Sequence, residues 1–227
     1  MMEERLRLEF NDWARAGRGD RMERVHRPTG EQAIERMNVP TDARVLDVGC
    51  GSGWATRLLA EQASRGRAVG IDISDDMIAL ARAASAGIEN IEFQVASAER
   101  LPFDDQSFTH AFSMESLYYY SDMAAALSEI RRVLQPAGLF VAVLDLYWEN
   151  EPSHQWIEQL KVPVQLLSIA EYHAQFEVAG FLDVRDERMY NPKLGTEDDS
   201  SGSFKTREDY MNYLATGSLM MSGRVKA

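Results

Sequence analysis

The sequence predicts an α/β domain, a mostly parallel sheet with helices on both faces and a helical segment ahead of it. Three observations carry this. From about Arg44 to Tyr147, strand-like and helix-like patterns alternate. The strands are short apolar runs, as in sheets buried on both faces. The first strand also enters a glycine-rich turn, "VLDVGCGSG" over Val45–Gly53, which opens directly into a helix pattern.

Residues 1–40 read as a cap of two helices, and residues 41–227 as the main domain. In the first helix Leu6, Phe10 and Trp13 share a face at helical spacing. The basic, glycine-interrupted "RAGRGDRMERVHRP" reads as a loop. Thr29 with Gln32 reads as a capping box opening a second helix, "GEQAIERM". In the main domain "RVLDVG" is a strand and "WATRLLAEQAS" a helix. "GRAVGIDIS" is a strand, and "DDMIALARAAS" a helix with Ser74 as N-cap. "IEFQVA" and "HAFSME" are strands, the second after the turn-rich "DDQS". "DMAAALSEIRRVL" is a helix that stops before "QPAG", and "LFVAVLDLY" is the next strand. Then come a helix capped by Ser168, "SIAEYHAQFEVAG", and a strand, "FLDVRDERMY". A polar loop, "NPKLGTEDDSSGS", a helix, "REDYMNYLAT", and a closing strand, "GSLMMSGRV", complete the chain.

Composition narrows the function. The 227 residues carry a formal charge of −12, which repels phosphate backbones and argues against nucleic acid as a partner. The single cysteine, Cys50, allows no intrachain disulfide and packs as a small residue beneath the glycine turn. "MMEERLRLEFNDW" lacks a basic-then-apolar signal pattern, and "GLFVAVLDLYW" is too short to span a bilayer. The expected setting is cytoplasmic, without a membrane, as a monomer or homodimer. The histidines at 26, 110, 154 and 173 share no ligand spacing, so no metal is expected.

The glycine turn is the strongest functional signal. Strand, turn and helix N-terminus form a place where backbone approaches a ligand closely. The dinucleotide pattern G-x-G-x-x-G fails: counted from Gly49, the third glycine comes one position early, and Trp54 takes the last place. The actual pattern is D-x-G-x-G-x-G from Asp47.

That pattern resembles the first motif of class I S-adenosylmethionine-dependent methyltransferases, in particular the small-molecule, type 11-like branch. Further stretches resemble the family in the same order: "GIDIS", "FQVASAERLPFDDQSF", "FSMESLYYYSD" and "EIRRVLQPAGLFVAV". The resemblance covers about Val45 to Leu146. It implies a Rossmann-like three-layer sandwich whose seven-stranded sheet has the order 3-2-1-4-5-7-6 and one antiparallel strand. It also implies S-adenosyl-L-methionine as cofactor, S-adenosyl-L-homocysteine as its product, and a small-molecule methyl acceptor.

The same resemblance assigns cofactor-binding residues. Asp47 suits a ligand that carries an ammonium and a sulfonium. Gly49, Gly51 and Gly53 let backbone lie against it, and Asp72 accepts from the ribose hydroxyls. Ile73 and Met77 flank the adenine, Ser97 and Ala98 read its edge, and Met114 completes the wall. The family often has Asp where Ser97 stands, so Glu99 or a backbone amide takes part of that role. The acceptor should meet Tyr118–Tyr120 from one side and Trp13 and His26 from above. His26, Tyr119 and Glu115 are the catalytic candidates. The Pro-Pro-aromatic signature of adenine and glutamine methylation is absent, for the segment reads "MESLYY". Carbon methylation of a quinone-type precursor and a cofactor-binding sensor or scaffold remain as alternatives.

Overall fold

A computed structural model describes residues 2–191 and 203–227. Most of the predicted polar loop at 191–203 lies outside the described residues. The main domain opens with β1 (Arg44–Val48), α3 (Trp54–Gln62), β2 (Arg67–Asp72), α4 (Asp75–Ala84) and β3 (Ile91–Val95), after helices α1 (Met2–Arg15) and α2 (Arg18–Met37). Then come β4 (Phe108–Met114), a three-ten turn (Leu117–Tyr119), α5 (Met123–Val133) and β5 (Leu134–Leu144). A three-ten segment (Glu151–Gln159), α6 (Ile169–Val178), β6 (Leu182–Met189), α7 (Arg207–Thr216) and β7 (Ser218–Arg224) follow.

The seven strands form one sheet in the order β3-β2-β1-β4-β5-β7-β6. Strands β1 to β5 pair in parallel, and β7 runs antiparallel to both its neighbours. On one face, α5 and α6 bury Leu127, Ile130 and Phe176 against Phe140 and Leu144. On the other, α2 and α3 bury Ile34, Met37 and Leu59 against Val45 and Val143. Both faces are dry, which is why the central strands are apolar throughout rather than alternating. Helix starts follow local chemistry. Ser74 Oγ accepts the Met77 N–H, Asp122 accepts the Ala125 N–H, and Ser168 with Glu171 forms a complete capping box.

The N-terminal region departs from the sequence reading. The stretch expected as a loop is the first half of α2, and Thr29 is no cap. Its Oγ1 donates back to the His26 carbonyl in mid-helix, at 3.1 Å. Pro28 sits inside the helix. A proline there removes one backbone hydrogen bond, so local preference alone would stop the helix. Burial carries it through: Gly19, His26, Thr29, Gly30, Ala33, Ile34 and Met37 all face inward. Gly30 is required by packing, since a Cβ there would come within 2.4 Å of the Trp54 ring. The second half of α2 is therefore a layer of the sandwich. Helix α1 lies on α4, where Asn11 Oδ1 accepts from Ser74 Oγ at 2.6 Å and from the Asp76 N–H at 3.2 Å.

Candidate functional site

The carboxyl ends of β1, β2 and β4 point to one cavity of about 310 Å³. Such a crevice is where open parallel sheets bind ligands. Asp47, at the end of β1, is 1% exposed. Thr56 on α3 donates to its Oδ2 at 2.5 Å, while its Oδ1 is buried without a partner. Burial pushes the Asp47 pKa up to about 7; the Thr56 hydrogen bond opposes this and the nearby Asp72 charge adds to it. Asp72, at the end of β2, accepts the Gly51 N–H at 2.9 Å on Oδ2 and the Ser74 N–H at 2.8 Å on Oδ1. Burial raises its pKa against those two donors. Each oxygen keeps a further lone pair for a ligand.

The three turn glycines all have positive φ, at 75°, 50° and 77°, but serve different ends. A Cβ on Gly51 would enter open space. One on Gly49 would strike Ser116 at 2.5 Å, and one on Gly53 would strike Phe93 at 2.7 Å. Gly53 does not line the cavity; it is the N-cap of α3, packed on Phe93 and Ala81. Packing alone is enough to require glycine there. The other expected cofactor residues, Asp47, Gly49, Gly51, Asp72, Ile73, Met77, Ser97, Ala98 and Met114, all reach the cavity wall. Glu99 also reaches the wall, with Oε1 holding Ser121 Oγ and the Asp122 N–H at the start of α5. Burial holds the Cys50 thiol well above its ordinary pKa, which suits a packing role.

The other end of the cavity is aromatic. Phe10 and Trp13 of α1 meet Tyr119 edge-on, with ring centroids 5.0 and 6.4 Å away. Leu160 and Trp156, after β5, close the side. Burial raises the Tyr119 phenol pKa, and its ring forms part of this wall.

One corner of this wall is polar. His26 of α2 and Glu115, just past β4, line the cavity, and Asp145, just past β5, stands behind them. His26 Nδ1 lies 3.2 Å from Asp145 Oδ2, but off line, so neither that nitrogen nor Asp145 Oδ1 has a hydrogen-bond partner. Tyr213 OH donates to Asp145 Oδ2 at 2.7 Å. Tyr118 OH donates to Glu115 Oε2 at 2.7 Å, and the Asp145 N–H donates to Glu115 Oε1. Burial, then the charge of Asp145, raises the Glu115 pKa. Burial opposes charge on His26, but Asp145 and Glu115 outweigh it and raise its pKa. Asp145 escaped the sequence reading, as a lone acid at the end of an apolar run. The one signal was its position at the carboxyl end of a parallel strand. Ser116 was missed too. It ties the site together by bonding Ser113, Tyr120 and the Val48 carbonyl.

Comparison with known proteins agrees with this geometry. A family described as a methyltransferase domain matches residues 46–142. A Haloferax volcanii protein assigned as a methyltransferase, solved in complex with the Trm112 methyltransferase activator, superposes with a TM-score of 0.90. It is 34% identical, with 96% of this chain and 98% of that one covered. Demethylmenaquinone methyltransferase of Staphylococcus epidermidis is 34% identical over 119 residues, covering 52% of this chain. The chain spans about half, 49%, of that relative's length. Haemonchus contortus phosphoethanolamine N-methyltransferase 2, in complex with S-adenosyl-L-methionine, shares the fold at a TM-score of 0.70 and 18% identity. That likeness covers 87% of this chain and 52% of the other.

Proposed function

The chain belongs to the class I S-adenosylmethionine-dependent methyltransferases, type 11-like branch, and we propose that it methylates a small, largely apolar acceptor held between α1 and the "SLYYY" segment. One observation carries this reading: a single cavity has the cofactor residues at one end and the Phe10–Trp13–Tyr119 wall at the other.

The residues present fit the cofactor. Asp47 Oδ1 is a buried acceptor with no partner inside the protein, suited to a cationic ammonium. Gly51 leaves a space that any side chain would fill. Asp72 offers two oxygens already fixed in direction by backbone donors. When bound, the cofactor supplies a methyl group on positively charged sulfur, open to in-line displacement. The protein's task is then to align the acceptor and exclude water, and alignment alone can be worth about 7–11 kcal/mol. Helix α1, tied to α4 through Asn11, covers the site; Phe10 and Trp13 keep it dry. The polar, nucleophilic end of the acceptor faces the His26–Glu115 corner, the charged part of an otherwise apolar wall.

Two narrower statements stand with this proposal. The acceptor is a quinone-type precursor methylated on carbon if the chain follows the demethylmenaquinone methyltransferase it resembles in part. An activator protein joins the enzyme if the chain follows its Haloferax volcanii relative. Setting and nucleic-acid independence are proposed as before: a cytoplasmic enzyme that does not bind DNA or RNA. No helix among the described residues is long and apolar enough to cross a membrane. A crystal structure with S-adenosyl-L-homocysteine tests the reading. The product's sulfur should face Tyr119 and His26; a sulfur facing away from α1 would move the acceptor elsewhere.

A further inference from the structure

His26, Glu115 and Asp145 come from three separate segments, α2 and the ends of β4 and β5, yet one ligand atom of each lies within 4.8 Å of the others. We propose that this cluster is a binding site for a divalent transition-metal cation, set in the floor of the acceptor pocket.

Two buried atoms ask for such an occupant. His26 and Asp145 are 7% and 1% exposed, and His26 Nδ1 and Asp145 Oδ1 make no hydrogen bond. A buried polar atom without a hydrogen bond is costly; Asp145 Oδ1 has none, and His26 Nδ1 has only the off-line contact to Asp145 Oδ2 at 3.2 Å. Charge points the same way. The only ion pair either carboxylate makes among the described residues is the one to His26. An imidazole beside two carboxyl groups is a donor set a dication can take, with the imidazole neutral and the carboxyl protons released on binding.

The surroundings resemble the outer shell of a metal site, where fixed partners aim the ligands. Tyr213 holds Asp145, while Tyr118 and the Asp145 amide hold Glu115. Glu115 itself has a φ of 56°, a left-handed conformation that strains a residue with a side chain. Such strain persists where surrounding structure imposes it, often at functional sites. Parallel pairing of β4 with β5, continued by the Glu115 N–H on the Val143 carbonyl, sets Glu115 next to Asp145.

The donor set chooses the class of ion. One imidazole nitrogen with two carboxylates suits Mn²⁺, Fe²⁺, Co²⁺ or Zn²⁺ better than the all-oxygen preference of Ca²⁺ or Mg²⁺. Three protein ligands leave positions open, and His26 and Glu115 both face the cavity. An acceptor oxygen can take an open position, where a bound hydroxyl loses its proton more readily. This last step rests on the acceptor-pocket reading; the cation site does not. No sequence motif marks it, because the three ligands share no spacing.

The test is direct. Full-length protein is stripped with a chelator and titrated with Co²⁺, followed by visible absorption. Cofactor affinity is measured separately by calorimetry. One equivalent should bind, with binding weakened more than about tenfold by Asp145→Asn and by Glu115→Gln. In the unmodified protein, substoichiometric Mn²⁺ should broaden the His26 ring signals ahead of the other three histidines. That arm needs no variant to fold. Absence of saturable Co²⁺ binding, equal affinity in both folded variants, or broadening that spares His26 would each reduce the cluster to a plain ion pair. Cofactor affinity that persists while Co²⁺ fails to bind would overturn the metal site alone.

Discussion

The turn glycines give the sharpest separable prediction. Alanine at position 51 adds a methyl that meets nothing in the protein, so its cost is the left-handed backbone alone, about 1–2 kcal/mol. Alanine at 49 carries the same strain and also drives Cβ to 2.5 Å from Ser116 Cβ and 2.6 Å from its Oγ. At 53 the new methyl would lie 2.7 Å from the Phe93 ring and 2.9 Å from Ala81 Cβ. Overpacking of this kind adds about 1–3 kcal/mol. Gly49→Ala and Gly53→Ala should thus each cost about 2–5 kcal/mol, a large share of a typical total of 5–15. Gly51→Ala should stay folded, yet put its methyl where the ligand lies and lower affinity for S-adenosyl-L-homocysteine at least about tenfold, or about 1.4 kcal/mol. Urea unfolding read with calorimetry on the same samples separates the two effects. If Gly51→Ala binds like wild type, or is the least stable of the three, the division between a ligand-facing glycine and two packing glycines is wrong.

Asp72→Asn removes the charge and replaces one of the two accepting oxygens with an NH2 group, so either the Gly51 N–H or the Ser74 N–H loses its acceptor; it should cost about 1.5–3 kcal/mol of cofactor binding by calorimetry, tenfold or more, with some loss of stability. Asp72→Ala should also lose stability, since Gly51 N–H and Ser74 N–H would lose their acceptor. For Asp47, burial raises the folded pKa from 3.8 to about 7, so the native state holds the proton more tightly than the unfolded chain. Its contribution to stability is full below about pH 4 and is lost as pH rises through about 7, on the order of 4 kcal/mol in all. Asp47→Asn should flatten that part of the stability–pH curve; an unchanged slope would contradict the assignment. Affinity for the cationic cofactor should move the opposite way and rise through the same window. Removing residues 1–37 takes Ala33, Ile34 and Met37 out of the core and should unfold the protein by circular dichroism. Removing only residues 1–16 should leave a cooperative melt and weaken cofactor binding by uncovering α4.

The fold was legible because its signals are local. Ser74, Ser168 and the apolar runs of β1 to β5 each announce themselves within a few residues, and the strand order came with the family resemblance. The acids Asp47 and Asp72 were legible for the same reason, as carboxylates at strand ends beside a glycine turn. What failed depended on distant partners. The helix after Pro28 was legible, but its continuation back through Pro28 was not; it runs on because residues on both sides of Pro28, from Gly19 to Met37, are buried on its inner face. Gly53 stands in the same motif as Gly49 and Gly51, yet it lies off the cavity wall, and the packing that requires it comes from Phe93, forty residues on in β3. Asp145 meets His26, Glu115 and Tyr213, none of them near it in sequence, so its place in the site could not be read locally.

The central claim is methyl transfer to a small apolar acceptor. It is tested most directly by incubating the protein with S-adenosyl-L-methionine labelled in the methyl group and a total cellular extract, then locating the label. Label in a low-mass compound that partitions into organic solvent, lost in Asp72→Asn, is the predicted result. Label confined to protein or RNA, or no transfer despite cofactor binding, would contradict it.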